Sequence, residues 1–148
     1  MRGDTSFQKD FLIMGGDFTR AGKVSCEIKN LLKELGHSFH VVRRVAIAAY
    51  EAEMNVIMYA RKGRFDLLIT PNKIQMTVED EGPGIDDIDL AMREGYSTAT
   101  KEMRELGFGA GMGLPNIKKN SDRFIITSEP DRGTRLEMTI LTNGEGLQ

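Results

Sequence analysis

Residues 65–80 read FDLLITPNKIQMTVED. Two runs rich in apolar residues, 65–70 and 74–80, flank Pro71-Asn72, a pair that favours a tight chain reversal. The second run alternates apolar and polar residues, the period of a strand with one buried face. The segment predicts a β-hairpin and therefore antiparallel pairing. A second hairpin closes the chain: 122–128 (DRFIITS) and 134–141 (TRLEMTIL) are joined across Glu129–Gly133. Strands grouped in this way argue against βαβ units, in which strands alternate with helices.

Upstream of the first hairpin, residues 39–60 are apolar on most sides of a helix, with Ser38 placed to cap it. Such a helix belongs at the centre of a layer. Before it, Val24, Ile28, Leu31, Leu32 and Leu35 follow helical spacing over 20–35, with Thr19 as the expected N-cap and Gly36 as the stop. A short strand is expected over 8–14, and Lys62-Gly63-Arg64 reads as the turn into the hairpin. Downstream, 86–94 and 113–120 read as short helices, with a mobile loop over 95–110. The expected architecture is an α+β two-layer sandwich: a mixed, mostly antiparallel sheet with helices on one face.

The chain has 148 residues, 40% hydrophobic and 28% charged, the size and balance of one globular domain over 1–148. Its core is expected within about 8–141, with 1–7 and 142–148 as loose ends. A net charge of −2 gives no basic surface for nucleic acid or anionic lipid. A single cysteine, Cys26, excludes a disulfide framework and a multi-cysteine zinc site. The first residues, MRGDTSFQKDF, do not make a signal peptide, and no apolar run approaches the ~20 residues of a membrane span. A cytoplasmic protein is expected. Glycine is in excess, and seven of its 16 occurrences fall between residues 82 and 113.

Three groups of residues carry candidate chemistry. Glu51 and Asn55 lie four apart on the apolar helix and so share a face. The carboxylate suits a general base and the amide oxygen a hard cation such as Mg²⁺; a solvent-facing Glu51 and a backbone-bonded Asn55 are the plainer alternatives. Asp80-Glu81-Gly82-Pro83-Gly84 ends a strand, where glycines permit a sharp turn and close approach to a ligand, and where a carboxylate can accept from an amino group. An ordinary Asp/Gly/Pro turn is the alternative there. Gly107, Gly109, Gly111 and Gly113 alternate into a helix start, a backbone suited to phosphate, or else a flexible linker. Neither the P-loop nor the dinucleotide-binding fingerprint is present. His37 and His40 are expected to be capping or surface residues, and Cys26 to be semi-buried.

In this order and placement, Glu-x-x-x-Asn, Asp-x-Gly-x-Gly and Gly-x-Gly-x-Gly, followed by Gly133-Thr134 opening the final strand, resemble the GHKL ATPases, the group of gyrase, Hsp90, histidine kinases and MutL. The resemblance covers about residues 8–141 and implies the Bergerat ATP-binding fold. DEGPGI (80–85), EGYST (94–98) and GFGAGMGLP (107–115) look closest to the RsbT-like switch kinases, with the RsbW- and SpoIIAB-like anti-sigma branch a near relative. It implies ATP or ADP and Mg²⁺ as ligands, with Glu51 as the base that activates a substrate hydroxyl and Asn55 as the Mg²⁺ ligand. Asp80 would read the adenine amino group, Gly82 and Gly84 would shape its pocket, Gly107, Gly109, Gly111 and Gly113 would wrap the phosphates, and Thr134 would lie near adenine.

The implied function is a serine/threonine kinase acting on a STAS-domain antagonist protein. The alternative is a nucleotide-dependent anti-sigma factor or partner-binding module with little phosphotransfer. A sigma factor or a PP2C-type phosphatase is a further candidate partner, and homodimerisation stays open. One departure stands out: STATKEMREL (97–106) is longer and more charged than the switch-kinase pattern, which bears on the lid. Lys101 or Arg104 there would reach a phosphate or remain solvated.

Overall fold

Alternation along the strands sets the architecture. The computed structural model describes residues 6–85, 87–93 and 113–142. Strand β2 (Lys62–Ile69) buries Gly63, Phe65, Leu67 and Ile69, and β3 (Lys73–Glu81) buries Ile74, Met76 and Val78. The register sets Phe65 opposite Val78, Leu67 opposite Met76 and Ile69 opposite Ile74. Strand β5 (Gly133–Leu141) extends these rows with Leu136, Met138 and Ile140. Each such side chain contributes about 1.5–3 kcal/mol on full burial. Strands β1 (Phe7–Met14) and β4 (Arg123–Glu129) form the edges, in the order β1-β2-β3-β5-β4.

Every strand pairing among the described residues is antiparallel. The expected two-layer α+β arrangement around a mostly antiparallel sheet stands. The physical reason lies in the last hairpin: β4 runs along the edge, and its tight turn feeds β5 back beside β3 in the opposing direction.

The helical layer is centred on α2 (Phe39–Tyr59), which packs against α1 (Lys23–Glu34), against α4 (Gly113–Asn120) and on β1, β2, β3 and β5. Ser38 caps α2 as expected, its Oγ accepting the Val41 N–H at 3.2 Å. Gly36, at φ +85°, ends α1: its N–H bonds the Lys33 carbonyl and the His37 N–H bonds that of Leu32.

Five sequence expectations move. Thr19 caps nothing; it sits in a 3-10 turn, Phe18–Arg20, bonding Asp17. Lys62, Gly63 and Arg64 belong to β2, because Lys62 and Gly63 still pair with Glu81 and Asp80 and because Gly63 has no side chain to strike Val56. The helix expected over 86–94 is one turn, α3 (Ile88–Ala91), capped by the Asp87 carboxylate. His37 is buried, with neither ring nitrogen hydrogen-bonded among the described residues, since it directly follows the helix-ending glycine, where side chains fold back onto the helix. Cys26 falls on the outer face of α1 and is exposed. The loop expected over 95–110 lies outside the described residues.

Helix α1 begins at Gly22 without a side-chain cap of its own. Its cap comes from α2: the carboxylate of Glu53, 1% exposed, accepts the N–H of Val24 at 3.1 Å and that of Ser25 at 3.0 Å. A carboxylate on the first turn of a helix satisfies orphan donors and faces the positive end of the helix dipole. At the far end of α2, Arg44 reaches Asp122 at 3.3 Å, and Asp122 also accepts the Leu141 N–H at 2.7 Å. The Leu141 N–H, then Arg44, hold the Asp122 carboxyl below its ordinary value. That contribution is present above about pH 4, the carboxyl's ordinary range, and lost on further acidification.

Glu53→Ala should lower stability by about 2–4 kcal/mol, the sum of a lost cap and lost charge-assisted bonds in a buried site. Glu53→Gln should cost about 1–3 kcal/mol, because its NH₂ would face a second donor. Urea unfolding checks both; unchanged midpoints would contradict this role.

Candidate functional site

The end of the sheet where β3 finishes and β5 starts is held by a backbone contact. A Cβ built on Gly133 would lie 1.9 Å from the Asp80 carbonyl oxygen, and the backbone there has φ +154°. Only glycine fits. This contact brings the next residue, Thr134, over the Asp80 side chain, whose Oδ1 accepts the Thr134 N–H at 3.0 Å. Among the described residues nothing hydrogen-bonds Oδ2. Burial pushes the Asp80 carboxyl above its ordinary value of 3.8, against the opposing pull of the Thr134 N–H.

The segment after Asp80 is stitched to the β4–β5 turn. The Gly82 N–H bonds the Arg132 carbonyl at 3.1 Å, and the Asp131 N–H bonds the Pro83 carbonyl at 2.8 Å. Gly84 adopts φ +75°, and a Cβ there would lie 2.4 Å from the Glu129 carbonyl oxygen. The Ile85 N–H donates to Ser128 Oγ at 2.7 Å, and Ser128 Oγ stands 3.0 Å from Thr134 Oγ1. Thr134 is 6% exposed, so its hydroxyl is fixed from within the fold. Gly82 also abuts the end of α2, since a Cβ there would lie 3.0 Å from Ala60 Cα.

Glu51 and Asn55 are both half-buried on α2. Glu51 Oε2 accepts from Asn116 Nδ2 at 2.9 Å, and Glu51 Oε1 lies 3.6 Å from where a Gly113 Cβ would stand. The structure thus brings Glu51 to Gly113, and Asp80 to Gly82, Gly84 and Thr134. Helix α2 joins the two groups: from Glu51, through Asn55, to Ala60 is about 13.5 Å at 1.5 Å per residue. Gly107, Gly109 and Gly111 lie outside the described residues, as do Lys101 and Arg104.

Sequence reasoning missed Glu53, Asn116 and Ser128. A second acid inside an apolar helix was a readable signal for Glu53. Asn116, three residues past Gly113 and so on its face of α4, was another. Ser128 announces itself only through its pairing with Thr134.

The arrangement suits a polar ligand laid along α2. One end offers a carboxylate oxygen without a partner among the described residues, beside glycine backbone. The other offers a carboxylate near a helix N-terminus, where anions are favoured. No three His, Cys, Asp or Glu side chains cluster for a metal among the described residues. Asn55 has one amide oxygen, which would fit Mg²⁺ only as a minor ligand beside other oxygen donors and water. No helix among the described residues is long and apolar enough to cross a membrane.

Comparison with known proteins gives the family and the fold. A family model described as histidine kinase-, DNA gyrase B-, and HSP90-like ATPase matches residues 39–143. The serine/threonine-protein kinase RsbT of Bacillus subtilis (strain 168) is 32% identical over 113 residues, 74% of this chain and 79% of RsbT. An anti-sigma F factor of Caldanaerobacter subterraneus subsp. tengcongensis is 31% identical over 111 residues, 72% of this chain and 74% of that protein. The mycobacterial sensor histidine kinase MprB superposes with a TM-score of 0.52 at 16% identity, covering 93% of this chain and 99% of the MprB chain, a likeness of fold alone.

Gly133→Ala should destabilise the protein by about 2–4 kcal/mol, through strain and a broken Asp80–Thr134 junction. Its urea midpoint should fall, whereas Gly16→Ala, at φ +79° with nothing within 4 Å, should cost about 1 kcal/mol from backbone conformation alone. Equal losses would contradict the close-contact account.

Proposed function

The chain belongs to the histidine kinase-, DNA gyrase B-, and HSP90-like ATPase family, and from that premise we propose that it is an ATP-dependent serine/threonine kinase acting on a STAS-domain antagonist protein in a bacterial partner switch. The observation that carries the reading is the pair of carboxylates at the two ends of one α2-lined path: Asp80 with Oδ2 unengaged, and Glu51 with Oε1 beside Gly113. The run of α2 from Glu51 to Ala60, about 13.5 Å at 1.5 Å per residue, is on the scale of a nucleoside triphosphate from base to γ-phosphate. A pure nucleotide binder has no need of the second carboxylate.

In this reading Asp80 Oδ2 accepts a hydrogen bond from the adenine 6-amino group, while Thr134, locked by Ser128, lines the same pocket. Gly82 and Gly84 let the backbone pass close to the base. Gly113, with Gly107, Gly109 and Gly111, offers backbone donors to the phosphates. Asn55 contributes its amide oxygen to Mg²⁺, which, when bound, neutralises charge on the phosphates. Glu51 Oε1 takes the proton of the substrate Ser or Thr hydroxyl as that oxygen bonds to the γ-phosphorus and the bond to the β-phosphate oxygen breaks, leaving ADP.

A second reading has support of its own, the similarity to an anti-sigma F factor. The same nucleotide site would then control sequestration of a sigma factor, or contact with a PP2C-type phosphatase, in a cytoplasmic monomer or homodimer, with little phosphotransfer.

Labelled ATP mixed with the protein and a serine-bearing STAS-domain protein should label the latter. Glu51→Ala should cut transfer by at least about 100-fold with ATP binding retained. No transfer from the wild-type protein across such candidates would overturn the kinase reading in favour of the second.

Asp80→Asn should weaken ATP binding by about 10–100-fold, the loss of a hydrogen bond to a charged group. The pH dependence follows from the raised Asp80 value. The folded state holds this proton more tightly than the unfolded chain, so ionisation of Asp80 subtracts stability as pH rises from 3.8 through the raised value. Asp80→Asn should thus leave stability at neutral pH intact or increased. Wild-type ATP affinity should fall on acidification at a higher pH than an ordinary aspartate would dictate, and that step should vanish in Asp80→Asn. Calorimetric titration at several pH values checks both.

A further inference from the structure

We propose that Asn116 is a positioning residue for Glu51: it holds Oε2 so that Oε1 is presented toward the start of α4. This rests on the reading of Glu51 as the base. Among the described residues Asn116 is the one group that hydrogen-bonds Glu51, with Nδ2 at 2.9 Å from Oε2. A carboxylate is an acceptor only, so the Asn116 amide is oriented with its NH₂ toward it.

A glutamate has three side-chain torsions. Left free in a half-buried site, it spreads over several rotamers, and few of them bring an oxygen within reach of a substrate hydroxyl. A single donor on Oε2 removes that freedom and leaves Oε1 open. A neutral amide suits the task, because it fixes direction without cancelling the negative charge that makes the group a base. A Lys or Arg in its place would form an ion pair.

The tether also joins the base to the helix that follows the glycine run. Asn116 lies in the first turn of α4, which is anchored by buried Leu114, Pro115 and Ile117. Asn120 Nδ2 bonds the Asn116 carbonyl at 2.9 Å. The pose of Glu51 therefore depends on how α4 is seated, and α4 begins at Gly113. Phosphate contacts on the glycines and the aim of the base are mechanically linked.

The test uses the full chain, ATP with Mg²⁺, and a serine-bearing STAS-domain protein as the phosphate acceptor. Asn116→Ala should lower kcat about 10–100-fold, the range expected for a misplaced reacting group, with the ATP dissociation constant changed less than about twofold. In a Glu51→Ala background the same substitution should cause no further loss. Asn116→Asp, which keeps the shape but replaces the donor with an acceptor, should lose at least as much and stands in if Asn116→Ala does not fold. In ¹⁵N-labelled protein, Glu51→Ala should move the Asn116 side-chain NH₂ signals. Full kcat in Asn116→Ala or Asn116→Asp while Glu51→Ala is inactive, additive losses in the double variant, or an unmoved NH₂ pair would overturn the proposal and leave the base reading standing. Unchanged transfer in Glu51→Ala would instead remove the base reading itself.

Discussion

The site depends on one close contact, the Asp80 carbonyl against Gly133. With no side chain at Gly133 the start of β5 sits directly on the end of β3, and that proximity lets Asp80 Oδ1 take the Thr134 N–H. The same approach leaves the β4–β5 turn beside the 82–85 segment, where Gly84, Ile85, Asp131 and Ser128 lock the two together. One carboxylate oxygen is spent on structure, and the other has no hydrogen-bond partner among the described residues. The same burial raises the proton affinity of Asp80.

Helix α2 works from two sides. Residues two positions apart on a helix point about 200° apart, so Glu51 and Glu53 cannot serve the same neighbour. Glu53 turns to α1 and caps it; Glu51 turns to α4 and meets Asn116. The first fixes the helical layer, and the second ties α2 to the start of α4. Because both lie on the same buried rod, seated on four strands, the spacing between Glu51 and the Asp80 pocket is set by the core.

Much of this was legible in the sequence because it is local. Period-two alternation gave the strands, Pro71-Asn72 the hairpin, and Ser38 its cap. The motif order pointed to the family through Glu51, Asn55, Asp80 and the glycines, and the family match agrees. The features that escaped are long-range. Thr19 looked like a cap, but the cap of α1 comes from Glu53, 29 residues beyond the Val24 whose N–H it accepts. Lys62-Gly63-Arg64 looked like a turn, but cross-strand partners and a nearby Val56 extend β2 through it. His37 looked exposed because its burial follows from the fold-back after Gly36. Asn116 and Ser128 gain meaning only once α4 meets α2 and β4 meets β5.

The central claim is that the unengaged Asp80 oxygen reads the 6-amino group of adenine. Calorimetric titration with ATP and with inosine triphosphate, which carries a carbonyl oxygen in place of that amino group, tests it most directly. The account predicts ATP bound about 10–100-fold more tightly, since a carbonyl facing a carboxylate leaves two acceptors opposed. Equal affinity for the two nucleotides would contradict it.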